Sequence, residues 1–104
     1  PDKSTGRVLF EGACQGGAQA AGRESGEIAV GQWGDLMALN GDATDFIGRQ
    51  GDSILDTWIF AATDAQICDV WAAGRHVVRD GAHIARAQIT QNYRATMMRL
   101  RDVM

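Results

Sequence analysis

A hydrolytic centre needs a nucleophile or a metal-activated water with a proton shuttle beside it, so the residues able to supply these come first. The chain offers two cysteines, Cys14 and Cys68, two histidines, His76 and His83, and scattered aspartates. Asp35 stands just ahead of an apolar run, where an aspartate most often forms a turn hydrogen bond. Asp64, Asp69 and Asp80 have no histidine at helical or strand spacing, and His76 and His83 have no third ligand type at metal spacing. Cys14 with His76 or His83 would make a thiol dyad, yet Cys14 lies among glycines and alanines on a helix face. Both cysteines therefore read as buried thiols of a reducing compartment.

Other groupings also fall short of a site. Gly16-Gly17 lies inside a helical pattern with no Lys-Ser/Thr after it, so it is no phosphate loop. Trp33, Trp58 and Trp71 sit on separate elements without interleaved basic residues, which suits packing better than base stacking. A net charge of -3 with the arginines dispersed gives no footprint for nucleic acid. No apolar run approaches the ~20 residues of a membrane span, and no signal peptide is visible at the start. The sequence thus assigns no catalytic, cofactor-binding or metal-binding residue to this chain.

The positioning elements are clearer. Ser4 or Thr5 caps a helix over Arg7–Ala21 that stops at Gly22. Its interior glycines, Gly12, Gly16 and Gly17, cost roughly 1 kcal/mol each relative to alanine, which predicts close backbone approach to a neighbouring element. Glu27–Gly31 reads as a short strand, and Asp35–Asn40 as a strand apolar on both faces and hence buried on both. Residues 42–51 read as a surface loop. Asp52 or Ser53 then caps a helix carrying Ile54, Leu55, Trp58 and Ile59. Ile67–Ala72 and Arg75–Arg79 form a β-hairpin about Ala73-Gly74. The last segment is an amphipathic helix with the stripe Ile89, Tyr93, Met97, Leu100 and Met104, expected to dock on a neighbour rather than on a membrane. The fold class is α+β, with about four short strands and three helices, a thin sheet for so many apolar residues. Pro1 is not an initiator methionine, so the chain reads as starting inside a larger protein.

The order of these motifs resembles the C-terminal part of the amidohydrolase superfamily. Gly17–Arg23 is similar to that superfamily's last barrel helix. Ser25–Leu39 resembles the stretch that leaves the barrel for a small β-sandwich, and Val70–Gly81 resembles the hairpin closing the sandwich. Gly51–Ala61, followed by Asp69-Val70-Trp71 and the Tyr93-Arg94-Ala95 helix, is similar to formimidoylglutamate deiminases, with guanine deaminase-like aminohydrolases as near relatives. Gly34, where alanine is usual, and Asn40, where aspartate is common, depart from the pattern at strand ends.

The resemblance implies residues 1–23 as the end of a metal-dependent (β/α)8 barrel, 24–83 as part of a composite β-sandwich, and 84–104 as a C-terminal amphipathic helix. It further implies a divalent metal, usually zinc, a small-molecule substrate, cytoplasmic location and a possible homodimer. The reaction implied is hydrolysis of N-formimino-glutamate to N-formyl-glutamate and ammonia, a step of histidine degradation. The catalytic and metal-binding residues would all lie upstream of Pro1, together with the rest of the barrel and the partner strands of the sandwich. The chain alone would be inactive. The alternatives are another aminohydrolase of the superfamily or a non-catalytic interaction module.

Overall fold

The computed structural model describes residues 2–104; Pro1, on which the reading of an internal start rests, lies outside them. The first helix, α1, spans Thr5–Ala21, two residues earlier than the apolar pattern indicates. Ser4 is its N-cap, in extended backbone, and the Ser4 hydroxyl accepts from the Arg7 N–H at 3.1 Å. Gly22 closes the helix at φ 66°, its N–H reaching the carbonyls of Ala18 and Gln19. A glycine there adopts the left-handed conformation without the Cβ penalty.

The second helix, α2, spans Asp52–Ala61 and lies against α1, with Phe10 and Trp58 edge-to-face at 5.8 Å between ring centroids. Neither expected cap acts on it. Gly51 holds the N-cap position with no side-chain hydrogen bond. Ser53 bonds back to Gln50, and Asp52 turns away to α1. Residues 42–51 are more than a surface loop. They contain a 3-10 turn, Thr44–Phe46, that rests on α2 and carries Phe46, which at 4% exposure is the one buried hydrophobic side chain among the described residues.

Four strands form one antiparallel sheet in sequential order: β1 Leu36–Leu39, β2 Ile67–Ala72, β3 Arg75–Arg79 and β4 Ala82–His83. Leu36 pairs with Trp71 and Met37 with Val70 across β1 and β2. Across β2 and β3, Val70 pairs with Val78 and Trp71 with His76, the register shifting between them. The hairpin falls where the sequence puts it, with Ala73 at φ 51° and Gly74 at φ 79°. Two positive φ values make the turn whose twist matches the flanking strands. Asp80 and Gly81 repeat the device at φ 49° and 80°, ending β3 and turning the chain back into β4.

Several expectations need correction. Glu27–Gly31 is not a strand: Ile28 is 89% and Val30 106% exposed, and no neighbouring strand among the described residues takes its backbone groups. Instead Trp33 N–H bonds to the Glu24 carbonyl at 2.8 Å, closing the segment into a loop. β1 is not buried on both faces: Met37, Ala38 and Leu39 are half-buried and Leu36 is 37% exposed. Cys14 and Cys68 are half-buried and unpaired.

The amphipathic helix, α3 at Arg86–Val103, forms as expected but does not dock within the chain, and its whole apolar stripe is exposed. The radius of gyration is 17.6 Å, against about 13 Å for a compact domain of this length. The helix projects because no other element of the chain offers it a surface.

Candidate functional site

Three polar clusters hold the elements together. The first centres on Asp35, just before β1. Arg23, beyond the end of α1, grips its carboxylate with two nitrogens, Nη2 at 2.9 Å and Nε on the other oxygen. The Ala73 N–H in the hairpin turn donates to the same carboxylate at 2.9 Å, and the Gly74 N–H donates to the Gly34 carbonyl at 2.9 Å. The Arg23 guanidinium also stands 4.9 Å over the Trp33 ring, a cation–π geometry. Arg23 first, and then the Ala73 N–H, hold the Asp35 carboxyl well below the usual carboxylate range, and Arg23 is raised in turn. A carboxylate so engaged is a poor proton acceptor. Asp35 ties the end of α1 to the hairpin, and two shallow open hollows adjoin the cluster, one of about 340 Å³ beside Trp33 and Gly74 and one of about 450 Å³ beside Arg23 and Ser25.

The second cluster crosses the hairpin. His76 Nε2 lies 2.8 Å from Asp69 Oδ1, and Arg79 Nε donates to His76 Nδ1 at 3.1 Å. The Trp71 ring stacks on the imidazole at 4.5 Å and 10°. A tautomer with its proton on Nε2 satisfies both bonds. The His76 pairing first, and a bond from Cys68 second, lower the Asp69 carboxyl. Asp69 is seven residues from His76 in sequence, so counting along one strand hides the pair; the antiparallel turn creates it. With both ring nitrogens engaged, His76 has none free for a metal or a substrate proton.

The third cluster joins the helices. Asp52 Oδ2 accepts from Ser4 N–H at 2.9 Å, and Asp56 Oδ1 accepts from Gly6 N–H at 2.7 Å. Arg7 adds a longer contact to Asp52 at 3.4 Å and an i,i+4 pair with Glu11. Two carboxylates four residues apart on α2 thus face the first turn of α1. The signal available in the sequence was the Asp52–Asp56 spacing together with Arg7 at the position where a capping box would carry Glu or Gln.

The remaining candidates stay apart. Neither histidine hydrogen-bonds Cys14, since His76 is taken by Asp69 and Arg79, while His83 Nδ1 accepts from Ala85 N–H. Burial and the nearby Glu11 charge push the Cys14 thiol up, away from a reactive thiolate. Asp64 sits in a 3-10 turn and Asp80 in the turn into β4. Gly16-Gly17 lies within α1, and Trp33, Trp58 and Trp71 lie on a loop, a helix and a strand. Among the described residues no group of three or more His, Cys, Asp or Glu side chains can hold a metal. No helix among them is long and apolar enough to cross a membrane.

No protein-family model matches the chain. It is 47% identical over 78 residues, 75% of its length, to formimidoylglutamate deiminase from Pseudomonas aeruginosa strain PAO1, of which the match spans 17%. A solved amidohydrolase structure from Brucella melitensis superposes on 96% of the chain with a TM-score of 0.78 and 34% identity, and 22% of that protein is covered. The chain therefore spans about a fifth of the length of the proteins it matches. Over these spans the chain is similar in sequence to formimidoylglutamate deiminase and in sequence and fold to an amidohydrolase.

Proposed function

We propose that residues 1–104 are part of a formimidoylglutamate deiminase, a hydrolase that converts N-formimino-glutamate and water to N-formyl-glutamate and ammonia. The observation that carries this is the 47% identity over three-quarters of the chain, supported by the amidohydrolase likeness over nearly all of it. In this reading residues 1–23 end the barrel, 24–83 form part of a composite sandwich, and 84–104 form a terminal helix. α2 lies within the second segment but rests on α1, and so bridges the two bodies. The intact enzyme would be cytoplasmic, take a small-molecule substrate and pair as a homodimer.

The divalent metal that such an enzyme uses does not fit the described residues. The described side chains supply no ligand set, and His76 is occupied at both nitrogens. No chemical step is assigned to them. Their work in this reading is architectural: Asp35 and Arg23 tie the barrel's last helix to the sandwich hairpin, and Asp52 and Asp56 tie α2 to the start of that helix.

The test begins with intact mass and metal content of the protein purified from its native source. A mass several times 11.2 kDa with about one bound divalent metal, and ammonia release from formimino-glutamate, is the expected result. Release from guanine but not from formimino-glutamate would move the assignment to another aminohydrolase. A metal-free mass near 11.2 kDa would set catalysis by this polypeptide aside in favour of an interaction module.

A further inference from the structure

Helix α1 begins with backbone donors that its own sequence leaves open. The N-terminal N–H groups of a helix have no intrahelical partner. Ser4 serves the Arg7 N–H, but the residue that would return the favour in a capping box is Arg7, which has no acceptor. The gap is filled from fifty residues away: Asp52 takes the Ser4 N–H and Asp56 the Gly6 N–H. The approach is close enough that Gly6 is buried, and a Cβ on it would strike Asp56 Oδ1 and come within 2.8 Å of the Asp56 Cα. Phe10 and Trp58 fix the same two helices one turn further on.

In a (β/α)8 barrel each helix starts at the face where the strands end, and that face carries the catalytic loops. We infer that Asp52 and Asp56 are positioning residues for the deiminase reaction: they anchor the start of the last barrel helix, and with it the catalytic-face loop that feeds into it. This rests on the proposed reading of α1 as a barrel helix. Neither carboxylate touches substrate. Charge-assisted bonds to the two N–H groups, aided by the positive end of the helix dipole, fix where α1 begins. A loop entering a firmly held helix start keeps its catalytic side chains in register, and displacing a positioned group by ~1 Å can cost up to a hundredfold in rate.

The experiment uses the complete enzyme and four variants: D56A, D56N, D52A and, as a control on a separate turn, D64A. Steady-state kinetics with formimino-glutamate are read alongside amide hydrogen exchange over residues 4–8. D56A is expected to lower kcat about tenfold with KM changed less than twofold, and to speed exchange at Gly6. D56N, which keeps an acceptor oxygen, is expected to recover most of kcat, and D64A to match wild type. D52A, which removes the Ser4 bond and the longer Arg7 contact, is expected to lower kcat by a smaller factor and gives an independent reading should D56A not fold. Faster exchange in D56A and D52A with unchanged kcat would overturn the positioning role, and so would unchanged exchange. A wild-type enzyme that does not act on formimino-glutamate would instead overturn the functional reading on which the inference stands.

Discussion

Replacing Gly6 by alanine should weaken this chain, although the same change almost anywhere else in α1 should strengthen it. An alanine Cβ at position 6 would collide with Asp56 Oδ1 and come within 2.8 Å of Asp56 Cα and 2.9 Å of Asp56 N. Two of those atoms are backbone, so a side-chain rotation cannot relieve the clash and α2 must move off. Overpacking of this kind typically costs 1–3 kcal/mol, and the charge-assisted bond from Gly6 N–H to Asp56 adds about 1.5–3 kcal/mol if it breaks. Against this, alanine gains about 1 kcal/mol in helix propensity over glycine. The balance is a loss of roughly 1.5–5 kcal/mol.

Gly12, Gly16 and Gly17 meet nothing within 4 Å, so each alanine there should raise stability of residues 1–104 by about 0.5–1 kcal/mol. Urea melts followed by helical circular dichroism and by tryptophan fluorescence, to which Trp33, Trp58 and Trp71 all contribute, give both signs in one series. A G6A variant as stable as wild type would refute the close approach of α1 and α2. Repeating the G12A, G16A and G17A series within the longer enzyme extends the test: if a barrel covers that face, the same three changes should turn destabilising.

Other predictions concern the hairpin and the surface. Asp35 is held below its ordinary carboxylate range, so its stabilising contribution is present above the unfolded pKa of about 3.9 and is lost as pH falls through the lower folded value. An acid titration of stability should therefore show a loss below pH ~4 that D35N abolishes; an unchanged acid limb in D35N would disprove the clamp. Ala73 stands at φ 51°, and A73G should stabilise the chain by about 1 kcal/mol by relieving left-handed strain, as a urea midpoint shift would show. The isolated chain should self-associate through its exposed apolar faces, seen by light scattering. A sharp two-state thermal transition of a monomer would contradict that.

Local chemistry was legible in the sequence, and contacts between distant segments were not. Ser4 and Gly22 bound α1 because capping depends on a few neighbouring residues. Ala73-Gly74 sets the hairpin for the same reason, and the stripe from Ile89 to Met104 marks α3 by its period alone. The Glu27–Gly31 reading failed because strand propensity needs a ladder partner, and none among the described residues adjoins it. The interior glycines of α1 predict close approach to a neighbouring element; within the chain Gly12, Gly16 and Gly17 meet nothing, and the close approach that forms is at Gly6, at the helix start. Spacing along one strand hides Asp69 facing His76, and the Asp52–Asp56 spacing puts two carboxylates on one helix face without naming residues 4 and 6 as their partners, since each contact depends on where a turn or a second helix brings the chain.

The polar clusters and the exposed faces together say what kind of object this chain is. A self-sufficient domain of about 100 residues buries apolar side chains in one core, yet here a single hydrophobic residue, Phe46, is fully covered among those described. Order is carried instead by clamps between elements: Arg23–Asp35–Ala73, Asp69–His76–Arg79, and the Asp52 and Asp56 caps on α1. Such clamps fix orientation well, but the half-exposed ion pairs among them supply little net stability. Meanwhile Ile28, Val30 and the α3 stripe remain open to solvent, where apolar area gains nothing. Directional clamps with unburied apolar faces are what a segment needs if larger surfaces complete its core. That physical economy agrees with a chain matching only a fifth of its relatives' length, and it makes burial of Ile28 and Leu100 in the longer protein the measurement that joins the two observations. Solvent-accessible labelling of cysteines placed at those positions should be fast in residues 1–104 and slow in the proposed longer enzyme; equal rates would break the link between the open faces and that proposal.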